Sequence, residues 1–336
     1  MSARLEILEA GPGLSVQDAG WRGYVGQGLS PGGAADPRAL IEGAVLLGQA
    51  PSGAALEMAG RGGRFRATQD CRIALTGAPM QATLDGVPLL WHASHRVPTG
   101  AELRIGAAQS GVYGYLHLGG GIDSPRRLGS RATHLVAGLG RLCAAGDALP
   151  LGVDPGGETG LKLPDPDRFA GGSLRIVRSF QSDRFAEEDL ARLSRTAFTR
   201  DMRGNRMGVR LDHAGPGFFA QGGLTALSEI VVPGDIQVTG EGAPYILGVE
   251  SQTTGGYPRI ATVIPADLPR AMQAPPGAPL RLSLITRAEA VAIERAEAAR
   301  LRDLPRSLRP ILRDPAQMAD LLSYQLISGV TAGEVS

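Results

Sequence analysis

Apolar residues along this chain come in short runs, and each run is broken by glycine, proline or aspartate. Strand-like segments of this kind lie at Leu5–Leu8, Cys71–Leu75, Leu103–Ile105, Tyr113–Leu118 and Leu174–Val177. Further ones follow at Ile230–Val232, Ile236–Val238, Tyr245–Val249, Ile260–Ile264 and Leu280–Ile285. Helical spacing, with apolar residues three and four apart, is confined to residues 36–49, 187–198, 286–304 and 315–327. Short strands between frequent turns predict a mainly β protein with a few helices. The stretch 36–49 shows the clearest entry, with Asp36 as cap and Pro37 in the first turn.

The pattern partly repeats. "PTGAELRIG" (98–106) resembles "PPGAPLRLS" (275–283), and upstream of each a glutamate sits beside apolar residues and glycine: Glu57 in "LEMAG" and Glu229 in "SEIVVPG". Two related β lobes would read this way; so would a common Pro-Gly-Ala turn used twice. The Gly-, Pro- and Asp-rich segment 152–172 reads as the junction.

Composition sharpens the picture. A chain of 336 residues is long for one core, so two domains are expected. Glycine contributes 48 residues and proline 24, which supplies the many turns. With 34 basic and 33 acidic side chains, no basic field for nucleic acid or an anionic membrane is present. The first residues lack the apolar stretch of a secretory signal, and no apolar run is long enough to span a bilayer, which points to a cytoplasmic protein. Two cysteines, Cys71 and Cys143, make neither a disulfide framework nor a CxxC zinc pattern. Lys162 is the sole lysine, so the chain carries no phosphate-binding GK[ST] loop and no recognisable cofactor motif.

Candidate chemistry is confined to a few motifs. "GLSPG" (28–32) has the spacing of a nucleophile elbow, but Pro31 cannot donate the backbone N–H that such an elbow needs. His92 and His95 stand three apart with no third ligand nearby, so no metal site is expected. His117, next to Gly119–Gly121, is the histidine best placed for proton transfer, although a satisfied structural histidine is the favoured reading of that residue by itself. Arg203, Arg206 and Arg210 gather around a turn and the strand that follows it; guanidinium groups suit carboxylates and carbonyls, and they also suit a solvated surface. "SQTTGGYPRIATV" (251–263) is a tight loop running into a strand. It is either a hairpin or a cradle of N–H groups around a small polar ligand.

Long ordered motifs connect these pieces. "GPGLSVQDAGWRGYVGQGLSPGGAADP" (11–37), "ALEMAGRGGRF" (55–65), "IALTGAPMQATLDG" (73–86), "GGGIDSPRRLGSRAT" (119–133), "NRMGVRL" (205–211), the run 228–270 and "PPGAPLRLSLI" (275–285) together resemble the biotin-dependent carboxyltransferase-like family. That family includes the C subunit of 5-oxoprolinase, the carboxyltransferase part of urea carboxylase, and allophanate hydrolase subunit 2-like proteins. The resemblance implies two cyclophilin-like β-barrel lobes, placed at 1–160 and 161–290, with a helical extension at 291–336. It implies an oligomeric or heteromeric assembly in which a B subunit and a third subunit join this chain. That assembly uses ATP to open the lactam 5-oxo-L-proline to L-glutamate. Alternatives within the family are urea-type carboxyl transfer from biotin, or a regulatory role that sequesters a kinase-inhibitor-like B subunit. Carried onto this sequence, the catalytic candidates are Arg206, Gln252, Thr253, Thr254 and Tyr257. The substrate-binding candidates are Asp36, His117, Arg210, Gly255 and Gly256, and no metal is implied. The sequence departs from the family pattern at Ala44, Gln49 and Asn205, where the family has asparagine, asparagine and aspartate.

Overall fold

The computed structural model describes residues 3–221 and 228–311. The helix expected at 315–327 lies outside the described residues.

The first lobe consists of two sheets. One has the strand order Ala148–Pro150, Arg4–Ala10, Arg61–Ala67, Glu102–Ala108, Met80–Leu84, Val87–Pro88. The other runs Ser15–Gln17, Ala55–Ala59, Tyr113–Leu118, Cys71–Gly77, Ala93–Val97, Leu161–Lys162, Arg309–Pro310. Ile7, Phe65 and Ile105 from the first sheet pack with Leu56, Ile73 and Leu116 from the second in one buried cluster, so the two sheets share a core. The second lobe is a closed barrel in the order Gly172–Val177, Arg259–Val263, Asp235–Val238, Pro244–Leu247, Gly208–His213, Ala197–Arg200, Pro279–Leu284. Its last strand closes the ring by pairing parallel to its first, from Gly172↔Leu280 to Ile176↔Leu284.

The strand Tyr113–Leu118 forms the wall between the lobes, and every one of its residues is buried. Leu116 and Leu118 point into the first lobe's core. Tyr113 and Tyr115, at the opposite parity, join the cluster formed by the barrel's Leu174, Phe198 and Ile246. The barrel's apolar cluster therefore extends across the junction onto one face of this strand, while the first lobe's own cluster packs on the other.

The two Pro-Gly-Ala segments both form turns. Ala101 N donates to Pro98 O at 3.2 Å and Ala278 N to Pro275 O at 3.0 Å. The third residues, Gly100 and Gly277, have φ of 81° and 78°, which is the type II pattern that glycine permits.

Three helices follow the sequence pattern: α1 (Pro37–Leu47), α2 (Glu187–Arg195) and α4 (Arg287–Asp303); a short α3 (Leu268–Gln273) lies between the last two. Asp36 caps α1, accepting from Arg38 N at 3.2 Å. The segment expected as a helix to residue 198 stops at Arg195, because Phe198 turns inward as part of a barrel strand. Helix α4 is no free extension: Glu297 pairs with Arg38 of α1 at 2.7 Å, and Leu304 packs on Leu46 and Leu47. Among the described residues no helix is long and apolar enough to cross a membrane.

Candidate functional site

Between the lobes lies a cleft of about 470 Å³, open on one side. Its first-lobe wall comes from Ser15 and Gln17, Glu57 and Tyr113; its barrel wall comes from Arg200, Asn205, Arg206 and Glu250. Leu135, Leu142 and Met202 edge it, and all three are exposed.

Arg206 is the bracket that holds this cleft together. Its Nε donates to Glu250 Oε1 at 2.7 Å, its Nη2 donates to the Gly33 carbonyl at 2.5 Å, and its Nη1 donates to Glu57. The contacts to Glu57 and Gly33 cross from the barrel to the first lobe. Burial works against the charge on Arg206, but the Glu57 and Glu250 carboxylates outweigh it and raise its pKa. Glu57 in turn accepts from Tyr115 Oη at 2.6 Å and from Ala35 N at 2.8 Å. Asp36 N donates to Tyr115 Oη at 2.8 Å. The Asp36 carboxylate accepts from Arg168 Nε at 2.7 Å and Gln273 Nε2 at 2.9 Å. Arg168 completes its shell with two bonds to Glu42, at 2.8 and 2.7 Å. A buried chain of polar groups thus runs from the cleft to the far side of the junction, each charge opposed by another.

Among the described residues no activated nucleophile emerges. Ser30 lies 2.8 Å from His134 Nε2, the geometry of a serine–base pair. However, Ala137 N donates to His134 Nδ1 at 3.3 Å, so the ring proton sits on Nε2 and points at the serine. His134 is therefore a donor to Ser30, not its base. Burial pushes the Cys71 and Cys143 thiols up to about 11, which keeps them un-ionised.

The profile described as "Carboxyltransferase domain, subdomain A and B" matches residues 27–284. The chain belongs to this carboxyltransferase-domain family. The 5-oxoprolinase C subunit of Haemophilus influenzae is 34% identical over 304 residues, covering 89% of this chain and 94% of that protein. The 5-oxoprolinase C subunit of Escherichia coli is 34% identical over 287 residues, covering 82% and 89%. The solved Kluyveromyces lactis urea carboxylase superposes with a TM-score of 0.81 over 94% of this chain and 31% of that one, at 23% identity, and shares the fold.

Within this carboxyltransferase-domain chain the sequence candidates separate. Arg206 lines the cleft. Gln252, Thr253, Thr254, Gly255, Gly256 and Tyr257 do not, although Glu250, just before them, does. Thr254–Gly255 pairs antiparallel with Glu229–Ile230 on the outside of the barrel, and Gln252 Nε2 donates to Gln237 Oε1 at 3.1 Å. The loop spends part of its backbone on strand pairing, because Val231 N donates to Thr253 O at 3.0 Å. Two buried atoms beside it, Gln237 Nε2 and Ser251 Oγ, have no partner among the described residues.

Arg210 is elsewhere, bonded to Asp212 at 3.0 Å on the barrel surface. Asp36 is a helix cap and ion-pair partner buried from any ligand. His117 corrects the expectation of a proton carrier: it is sealed beneath α1, with Thr76 Oγ1 2.7 Å from its Nε2, and burial lowers its pKa to about 3. Thr76 donates to Ala39 O at 2.9 Å, so neutral His117 is the donor in that pair. The adjoining glycine turn is clamped by Gln49, which accepts from Gly120 N at 2.9 Å and donates to Leu118 O at 3.1 Å. Asn205 accepts from Met207 N at 2.8 Å, a turn-closing role an aspartate would fill equally.

Sequence reasoning passed over Glu57 as a site residue, and missed Tyr113, Arg200, Glu250 and Gln17's contribution to the wall. The available signal was charge at an inward parity: Glu57 and Arg200 both sit where the strand alternation calls for an apolar residue.

Proposed function

We propose that this chain is the C subunit of a multi-subunit 5-oxoprolinase, and that the inter-lobe cleft takes the lactam. The identity of 34% with two proteins named as C subunits of 5-oxoprolinase, spread over most of the chain, carries this reading. In it, a B subunit and a third subunit complete the assembly. ATP is consumed there by the complex, in keeping with the lack of a phosphate-binding lysine loop in this sequence. The cleft supports the reading chemically. It is polar at its floor, edged by exposed apolar side chains that a partner surface could cover, and held in shape by the Arg206 bracket. Such a partner would exclude water from hydrogen-bond donors that act on a lactam carbonyl.

The test is to assemble the chain with its two partner subunits and supply 5-oxo-L-proline and ATP. ATP-dependent formation of L-glutamate is expected, and none is expected from this chain alone. A properly assembled complex that forms no glutamate, but carboxylates urea from a biotinylated carrier, would instead establish the urea carboxylase-type activity to which the shared fold also points.

A further inference from the structure

Two guanidinium groups line the inter-lobe cleft, and their surroundings are opposite. Arg206 is bonded to two carboxylates and a carbonyl. Arg200 is 4% exposed, yet its side chain makes no hydrogen bond or ion pair among the described residues, and its Nε is buried without a partner. Arg200 ends the strand Ala197–Arg200 at the same inward parity as core Phe198. Its backbone is fixed on both sides, by Arg200 N to Ala278 O at 3.0 Å and Gly277 N to Arg200 O at 2.8 Å. The turn beyond it folds back to make room for the guanidinium: a Cβ at Gly204 would stand 2.3 Å from Arg200 Nη2. Burial lowers the Arg200 pKa, and the neighbouring Tyr113 hydroxyl and Asp201 carboxylate do not make up the loss.

A second orphan lines the same cleft. Gln17 is fully buried, and its Nε2 donates to Ser15 Oγ at 3.0 Å and to the Thr133 carbonyl at 3.1 Å. A carbonyl can only accept, so the orientation of the amide is settled and Oε1 is the atom left without a partner among the described residues. A folded protein rarely leaves a buried guanidinium N–H and a buried amide oxygen unsatisfied, because each gives up hydration without replacement. Together they are the complement of a ligand that brings an anionic acceptor and an N–H donor.

We infer that Arg200 binds the carboxylate of a small ligand in this cleft and that the Gln17 carbonyl accepts a ligand N–H, so that the site selects amide or lactam acids over neutral amides. The planar fork of arginine matches a carboxylate with two parallel bonds, which a neutral amide such as urea cannot supply. The inference rests on the cleft being the substrate site and adds the class of substrate and the residue that reads it.

Calorimetry on the assembled complex with 5-oxo-L-proline, 2-pyrrolidinone and urea tests it. The first two probes share the lactam and differ in the carboxylate. The wild type is expected to prefer 5-oxo-L-proline by roughly tenfold to a hundredfold, the range of a charge-assisted hydrogen bond. Arg200→Gln should abolish that preference and Arg200→Lys should restore part of it. Arg200→Gln should also melt no lower than the wild type, since no internal ion pair is lost; a merely structural arginine would lower the melting temperature and leave the preference alone. Equal affinity for the two lactams, a preference that survives Arg200→Gln, or no binding of any probe would each overturn the inference. An Arg200-dependent preference without glutamate formation would keep it and remove the 5-oxoprolinase reading. Glutamate formation indifferent to Arg200 would do the reverse.

Discussion

The lobe junction has two concavities, and the more highly charged one has the weaker claim to be the site. On the α1 and α4 side lies a groove of about 710 Å³ that includes Arg38, Arg168, Arg175, Arg270 and Arg300. Each of these arginines has a carboxylate: Glu297 at 2.7 Å, Asp36 at 2.7 Å, Asp267 at 2.5 Å, Asp167 at 2.9 Å and Glu297 at 2.8 Å. On the other side, the cleft of about 470 Å³ has fewer charges, and one of them, Arg200, is unmatched among the described residues. Charge density marks a joint when the charges answer one another. An unanswered charge marks a place that waits for something else.

The contrast can be broken most forcefully at Arg168. Arg168→Ala strands two buried carboxylates, and a loss of about 3–5 kcal/mol is expected in denaturant unfolding, with ligand preference unchanged in whatever fraction stays folded. A stable Arg168→Ala protein that had lost ligand would transfer the site to the groove. Arg206→Ala should cost about 3 kcal/mol for the same reason, and here affinity should fall as well, because the cleft wall would separate. Unfolding with no change in affinity would reduce Arg206 to a joint.

A pH series probes His117, the candidate that burial removed from the site. Its folded pKa of about 3 lies below its unfolded value, so its neutral form contributes stability that is complete above the unfolded pKa. That stability is lost as pH falls from about 6.5 towards 3, at up to about 1.4 kcal/mol per pH unit. His117→Asn should flatten this part of the stability curve and leave the pH dependence of turnover in place; a shifted turnover profile would return His117 to the mechanism. Gly204→Ala is subtler. The new methyl displaces the Arg200 guanidinium, and stability should fall by about 1 kcal/mol while the preference for a carboxylate weakens. Smallest of all is Thr254→Ala, on the exposed loop, where unfolding should change by less than about 0.5 kcal/mol and ligand affinity should not change. A large loss of affinity there would restore the loop as a cradle.

Much of the fold was legible because its signals are local. Asp36-Pro37 begins α1 in the sequence and in the structure alike. The Pro-Gly-Ala turns at 98–101 and 275–278 adopt one geometry, since glycine accepts the backbone angle at their third position without steric cost. The strand Arg61–Ala67 was missed because arginine and glycine fill most of its positions and blur the apolar run. The site was less legible for another reason. The motif at 251–258 stands out as a string of unusual residues, whereas Gln17, Arg200 and Tyr113 are ordinary residues far apart in sequence. What marks Gln17 and Arg200 is a polar atom left without a partner among the described residues, and that becomes visible only when the neighbours are in place.

The strand Leu161–Lys162 leads towards the barrel and Arg309–Pro310 follows it, and the two pair antiparallel at the edge of the first lobe's sheet. Ile311 N adds a bond to Gly160 O at 2.7 Å. The barrel is thus a loop drawn shut at its neck, and its entry and exit share one anchorage. Tension that spreads the two neck strands apart meets their hydrogen bonds one after another, as in a zipper, and not all at once in shear. The neck is therefore the part of this anchorage that yields one bond at a time, while the ion pairs of Arg168 and Arg206 hold the lobes together beside it.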